Sequence, residues 1–276
     1  MAIKNILVAY NGSESSDAAV HSAVLAHEKY GAHVTGLFAH ASATSRLNRY
    51  TWVPDTVRET LDTLEADAHA GIRERFTQAI AGRVPQDRLH WIESSGESDA
   101  TVADYARMYD LTIVGRRDIL QGSKRLELHP DRIAMRSGRP VLVVPRDYRP
   151  EQIHEHAVLA WDGHRTATRA MNDAMQILET KQKVTVLTVD DGERGKTLEG
   201  IDVATALARH DIDVEVTELP LNAKSVGQTI LDFCDREGAG LLVMGAYEHS
   251  MFREELFGGV TRFVLENAKL PILISH

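Results

Sequence analysis

Two stretches of this chain carry the same pattern, and that duplication limits the fold more than any other feature. Ile6-Leu7-Val8-Ala9-Tyr10-Asn11-Gly12 near the N-terminus is matched by Ala157-Val158-Leu159-Ala160-Trp161-Asp162-Gly163 near the middle. An Ala-containing helical stretch follows each. Each half then has an apolar run ending in glycine, Ile113-Val114-Gly115 and Val243-Met244-Gly245. Each closes with a short apolar strand after proline, Pro140-Val141-Leu142-Val143-Val144 and Pro271-Ile272-Leu273-Ile274. A repeat of this length reads as two copies of one supersecondary unit, each with its own potential ligand site.

Short apolar runs alternate with stretches of helical period, the signature of βαβ units and a parallel sheet. Strands are expected near 4–10, 33–39, 88–92, 111–114 and 141–144, and again near 157–161, 184–189, 213–218, 241–244 and 271–275. Ala167, Ala170, Met171, Ala174, Met175 and Leu178 recur at three- and four-residue steps, predicting a helix over 164–179. Val57, Leu61, Leu64, Ala68, Ile72, Phe76 and Ile80 do the same over 57–80. The fold class that follows is α/β, with two tandem doubly wound five-stranded parallel sheets related by a pseudo-two-fold. The expected domains are 1–147 and 153–276, as separate lobes with one sheet each. Pro145-Arg146-Asp147-Tyr148-Arg149-Pro150 reads as the linker. The first half is longer by a segment near 41–60, holding Tyr50 and Trp52, that reads as a surface excursion.

The 276 residues carry 40 acidic and 31 basic side chains, a formal net charge of −9. That balance argues against non-specific nucleic-acid binding, which needs a basic face. An anionic small ligand remains compatible, because backbone N–H groups at a helix N-terminus bind anions whatever the net charge. The single cysteine, Cys234, shares an apolar helix face with Val226, Ile230 and Phe233 and reads as a plain buried thiol. No apolar stretch is long enough to span a bilayer, and Met1-Ala2-Ile3-Lys4-Asn5 leads straight into a strand without a signal-peptide core. The expected location is the cytoplasm.

In doubly wound sheets ligands sit beyond the carboxyl ends of the strands, where strand order reverses. Asn11-Gly12 and Gly115 should face one such crevice, Asp162-Gly163 and Gly245 the other. At these positions the chain resembles the universal stress protein family in its tandem two-domain form, over nearly its whole length. Residues 6–16 resemble that family's opening V-x-x-D-x-S-x-x-S pattern, and Met244-Gly245 through Ile274 resembles its closing signature. The resemblance implies an adenine nucleotide α-hydrolase-like fold, a stress-response role without catalysis, and pairing through the last strands. The halves would thus form an intramolecular pseudo-dimer, with homodimers of the tandem chain as a further expectation.

Nucleotide-binding members of that family carry Gly-x-x-Gly, nine further residues, then Gly-Ser or Gly-Thr. Glycines let the backbone approach phosphate oxygens, and helix N-terminal N–H groups supply partial positive charge. In the second half Gly245 and Gly258 match, Glu248 replaces the second glycine, and Gly259 stands where a hydroxyl residue is expected. Thr261 offers a hydroxyl two residues later, and Asp162 keeps the acid after the first strand. The resemblance thus implies a nucleotide site of Asp162, Gly163, Val189, Gly245, Gly258, Gly259, Val260 and Thr261. Its ligand would be ATP or another adenine nucleotide with Mg²⁺. Glu248 opposes this, since a carboxylate beside a triphosphate is repulsive unless a cation intervenes. In the first half Asn11 replaces the acid, Asp118 the second glycine, and Leu128-His129 the terminal pair. That half is expected not to bind nucleotide.

Other constellations carry less. Gly122-Ser123-Lys124 lacks the upstream glycine of a Walker loop. His154 and His156 have no further ligand at metal spacing, so no metal site is expected. His164 reads as a helix start. Arg116, Arg117, Lys124, Arg125, Arg132, Arg136 and Arg139 read first as solvated charge. Two functional readings follow: a non-catalytic stress module that binds a nucleotide or other small anion in its C-terminal half, or a protein-interaction module that binds none. A slow ATPase ranks last, because no residue stands out as a general base.

Overall fold

The apolar runs become strands because helices cover both faces of the sheet they build. A computed structural model of the chain describes residues 3–41, 54–117, 126–190, 201–221, 225–247 and 259–276. In the N-terminal half β1 (Asn5–Ala9), β2 (His33–His40), β3 (Leu89–Ser95), β4 (Leu111–Gly115) and β5 (Val141–Val144) alternate with helices. Those helices are α1 (Glu14–Tyr30), α2 (Asp55–Ile80), α3 (Ser98–Ala106) and α4 (Pro130–Ser137). In the C-terminal half the strands are β6 (His156–Ala160), β7 (Lys183–Asp190), β8 (Val214–Pro220), β9 (Leu241–Gly245) and β10 (Ile272–Ser275). They alternate with α5 (Arg165–Leu178), α6 (Val203–Ala208), α7 (Val226–Glu237) and α8 (Val260–Asn267). All ten strands expected from the apolar runs are present. The segment with Tyr50 and Trp52 lies outside the described residues.

Pairing within each half is parallel throughout. The sheets expected as separate are, however, joined. The strand order is β3-β2-β1-β4-β5-β10-β9-β6-β7-β8, a single ten-stranded sheet. The seam is the antiparallel pair β5 and β10, with Leu142 opposite Leu273, Val143 opposite Ile272 and Val141 opposite Ile274. Leu142 and Leu273 hold the same place in their repeats, so the pseudo-two-fold passes between them. An unpaired apolar strand edge is a site for further pairing, and each half covers the other's.

One core, on the α1/α2/α5/α6 face, includes Ile6, Val24, Phe76, Leu159, Leu178 and Leu273; the other, on the α3/α4/α7/α8 face, includes Leu7, Val102, Ile133, Val143, Ile230 and Ile272. Each core runs across both halves. Polar contacts reinforce the seam. Lys29 Nζ meets Glu155 at 2.9 Å and donates to the Thr180 carbonyl at 3.1 Å. Arg169 Nη2 donates to the Gly138 carbonyl at 2.7 Å. The segment between the halves is tied to α1: Arg149 Nη2 donates to the Glu14 carbonyl, Arg146 pairs with the Glu14 carboxylate, and the Pro150 carbonyl meets His21 Nε2.

Candidate functional site: two crevices with different fillings

Strand order reverses between β1 and β4, and again between β6 and β9. The loops at those carboxyl ends are built alike. The Asn11 side-chain oxygen accepts from the Ser13 N–H at 3.1 Å, and the Asp162 carboxylate from the His164 N–H at 2.9 Å. Gly12 and Gly163 sit between, at φ +76° and +80°, in the left-handed region that glycine adopts without strain. Gly115 and Gly245 end β4 and β9 hard against the first turn of α1 and α5. A Cβ on Gly115 would lie 2.4 Å from the Ser15 carbonyl carbon, and one on Gly245 2.5 Å from that of Thr166. These glycines are set by packing as well as by any ligand.

The halves part company at the next layer. In the N-terminal half Asn11 Nδ2 donates to the Leu126 carbonyl at 2.7 Å and laces the loop after β1 to the segment before α4. Asp162, its counterpart, has no N–H to give. At the N-terminus of α4 stands the Asp99 carboxylate. Its Oδ1 accepts from the His129 backbone N–H at 2.9 Å and its Oδ2 faces His129 Nδ1 at 2.8 Å. Asp99 is 2% exposed, and burial raises its carboxyl above the usual aspartate range, partly offset by the His129 bonds. Arg132 lies 4.0 Å away. What is left is a small pocket lined by Asn11, Ser13, Ser16, Gly115, Arg116 and Leu128.

In the C-terminal half the residue two beyond the N-cap of α7 is Gly227, where α3 has Asp99. A Cβ there would meet the Phe263 ring at 2.8 Å. Gly259, the counterpart of His129, is the N-cap of α8 and has no side-chain capping bond. The first-turn N–H groups of a helix have no partner within it and carry the positive end of its dipole. Among the described residues, α7 offers no carboxylate at the position that Asp99 holds on α3.

Of the residues expected at this site, Asp162, Gly163, Gly245, Gly259, Val260 and Thr261 gather at the carboxyl ends of β6 and β9. Val189 stands near the end of the neighbouring β7, partly buried against the α7/α8 core. Gly258 lies outside the described residues, as do Glu248, Asp118 and the Gly122-Ser123-Lys124 stretch. Thr261 is buried, and its hydroxyl accepts from the Tyr247 N–H at 3.3 Å. It thereby holds the turn after β9, where Tyr247 adopts φ +52°. The Tyr247 hydroxyl reaches across the seam to Asp131 at 3.0 Å. His164 is the N-cap of α5.

The arginines of the N-terminal half are largely spoken for. Arg116 donates to the Glu266 and Ala268 carbonyls at the end of α8, Arg117 to Glu127, Arg136 to Glu97 and Arg139 to the Tyr109 carbonyl. Lys124 and Arg125 lie outside the described residues. Asp99 escaped the sequence reading because its role comes from two helix N-termini meeting, 30 residues apart.

The universal stress protein family model matches the chain twice, over residues 2–145 and 154–276. The chain belongs to the universal stress protein family. Its two matches fall on the two halves of the sheet. Among solved structures, a universal stress protein from Archaeoglobus fulgidus DSM 4304 superimposes with a TM-score of 0.72 at 14% identity, covering 98% of this chain and 95% of that one. A functionally unknown protein from Pseudomonas aeruginosa PAO1 follows the fold with a TM-score of 0.56 at 15% identity, over 99% of this chain and 92% of the other. At these identities the likeness is one of fold. No curated protein matches the sequence. Among the described residues no helix is long and apolar enough to cross a membrane.

Proposed function

We propose that this universal stress protein is a non-catalytic module with one working ligand site, in its C-terminal half, taking an adenine nucleotide or a similar small phosphate-bearing anion. The observation that carries the reading is the exchange of Asp99 for Gly227. The N-terminal half satisfies a helix N-terminus with its own carboxylate, and the C-terminal half leaves that task to a ligand. Backbone N–H groups at Gly259, Val260 and Thr261 would meet the phosphates. Asp162 is half exposed, with one oxygen on the His164 N–H. It would accept from a sugar hydroxyl. Glu248 would require Mg²⁺ or another cation between it and the phosphates.

Thermal unfolding with and without Mg-ATP tests this, since a ligand of the native state raises Tm by mass action. A rise is expected for the wild type, a larger one for Glu248→Gly with Gly259→Ser, and a smaller one for Asp162→Ala. Nucleotide released on denaturing the purified protein would support the same reading. No rise in the wild type or the double variant would overturn it in favour of a module that works through its surfaces alone.

A further inference from the structure

His40, His69 and Glu93 meet at the carboxyl ends of β2 and β3 in the N-terminal half. They come from three elements. His40 ends β2, Glu93 lies on β3, and His69 reaches over from α2. Glu93 Oε1 is 2.8 Å from His69 Nδ1 and 3.2 Å from His40 Nε2. One ligand atom from each residue lies within 4.8 Å of the other two. The rings are held in place: the His40 and His69 centroids are 4.1 Å apart, His40 stacks on buried Phe38 at 5.1 Å, and His69 meets Phe38 edge-on at 4.9 Å. The His side chains are 12% and 17% exposed, whereas Glu93 is 41% exposed and gives the cluster a solvent side.

We infer that these three side chains form a binding site for a divalent transition-metal ion of the zinc type. Two imidazoles and one carboxylate are a donor set suited to such an ion, and three protein ligands leave a further position for water or an exogenous anion. A tetrahedral ion about 2.0–2.1 Å from each donor spaces the donors roughly 3.3 Å apart. The observed 2.8 and 3.2 Å are close to that spacing, and the two imidazole donors lie within 4.8 Å of each other. His40 turns Nε2 toward the cluster, and its buried Nδ1, on the other side of the ring, has no partner. The Glu65 carboxylate, one turn before His69 on α2, acts electrostatically on His40 and adds negative charge to the surroundings. The site lies on the same end of the sheet as the crevices but uses none of their residues, so it stands apart from the proposed nucleotide function.

The test uses the full chain, stripped with a chelator and titrated with Zn²⁺ against a chromophoric competitor. One tight equivalent per chain is expected. His69→Ala and Glu93→Gln should each weaken it by about 100-fold, while His33→Ala should leave it unchanged. His33 belongs to a second histidine pair, stacked on His90 at 5.4 Å, and so reports on adventitious imidazole binding. Co²⁺ should give visible absorption bands that Glu93→Gln alters. Circular dichroism of each variant separates lost ligation from lost fold. Absence of a stoichiometric site in the wild type would overturn the inference, as would a site that survives both ligand substitutions.

Discussion

Asp99 grips His129 twice, taking the backbone N–H on one carboxylate oxygen and facing the imidazole with the other. Removing a buried acceptor strands both donors, at a cost of about 1–3 kcal/mol. Asp99→Ala should therefore lower the urea midpoint clearly. His129→Ala should lower it less, because the backbone bond survives. Equal losses, or the reverse order, would show that the imidazole contact and not the helix cap is what Asp99 is for.

Gly115 and Gly245 predict a contrast with an ordinary helical glycine. Alanine at either position drives a methyl group into backbone atoms of α1 or α5 that cannot swing aside. Overpacking of this kind costs about 1–3 kcal/mol or more. Gly71, within α2, has no heavy atom within 4 Å of where a Cβ would go. Gly71→Ala should stabilise by about 0.5–1 kcal/mol. Denaturation midpoints of the three variants check this, and a neutral Gly245→Ala would contradict the close packing of β9 on the first turn of α5.

The Lys181 amine is buried beside the seam, donates to the His154 carbonyl, and is pushed down to about 8 by burial, with Lys29 adding repulsion and Glu155 opposing it. Its folded value lies below its unfolded value. Between about pH 8 and 10.5 the unfolded chain holds a proton that the native one has released, so stability should rise with pH. Relative to Lys181→Met, the wild type should gain up to about 3 kcal/mol across that window and show no slope below it. Paired urea titrations at fixed pH values give the difference directly; a flat or falling one would be incompatible with a buried neutral amine.

Cys234 is 1% exposed, and burial pushes its thiol up to about 12. The thiolate is the reactive form. A disulfide reagent at pH 8 should label the native chain only at the rate of opening, and at full rate in urea. Prompt labelling without denaturant would place Cys234 in a mobile helix rather than a core.

The inner strands were legible because strands buried on both faces read as near-continuous apolar runs, whereas the edge strands β3 and β8 mix apolar with exposed polar residues. The seam was half legible. The apolar closing strands showed as edges seeking partners, but which edge each would meet depends on register, and Leu142 opposite Leu273 appears only in three dimensions. The glycines of the crevices were legible for the same reason that binding motifs are: a close backbone approach tolerates nothing else. Asp99 and the set of His40, His69 and Glu93 were not. Their members are 24 to 53 residues apart in sequence and are brought together by crossover connections, which no local spacing reveals.

The antiparallel seam has a consequence for divergence. Where two separate chains must associate as identical copies, any substitution appears on both sides at once. A covalently joined pair escapes that constraint. One lobe of this chain can set Asp99 against a helix N-terminus while its twin has Gly227 at the equivalent place, and a single polypeptide thereby holds two unlike lobes in a fixed one-to-one ratio at any protein concentration.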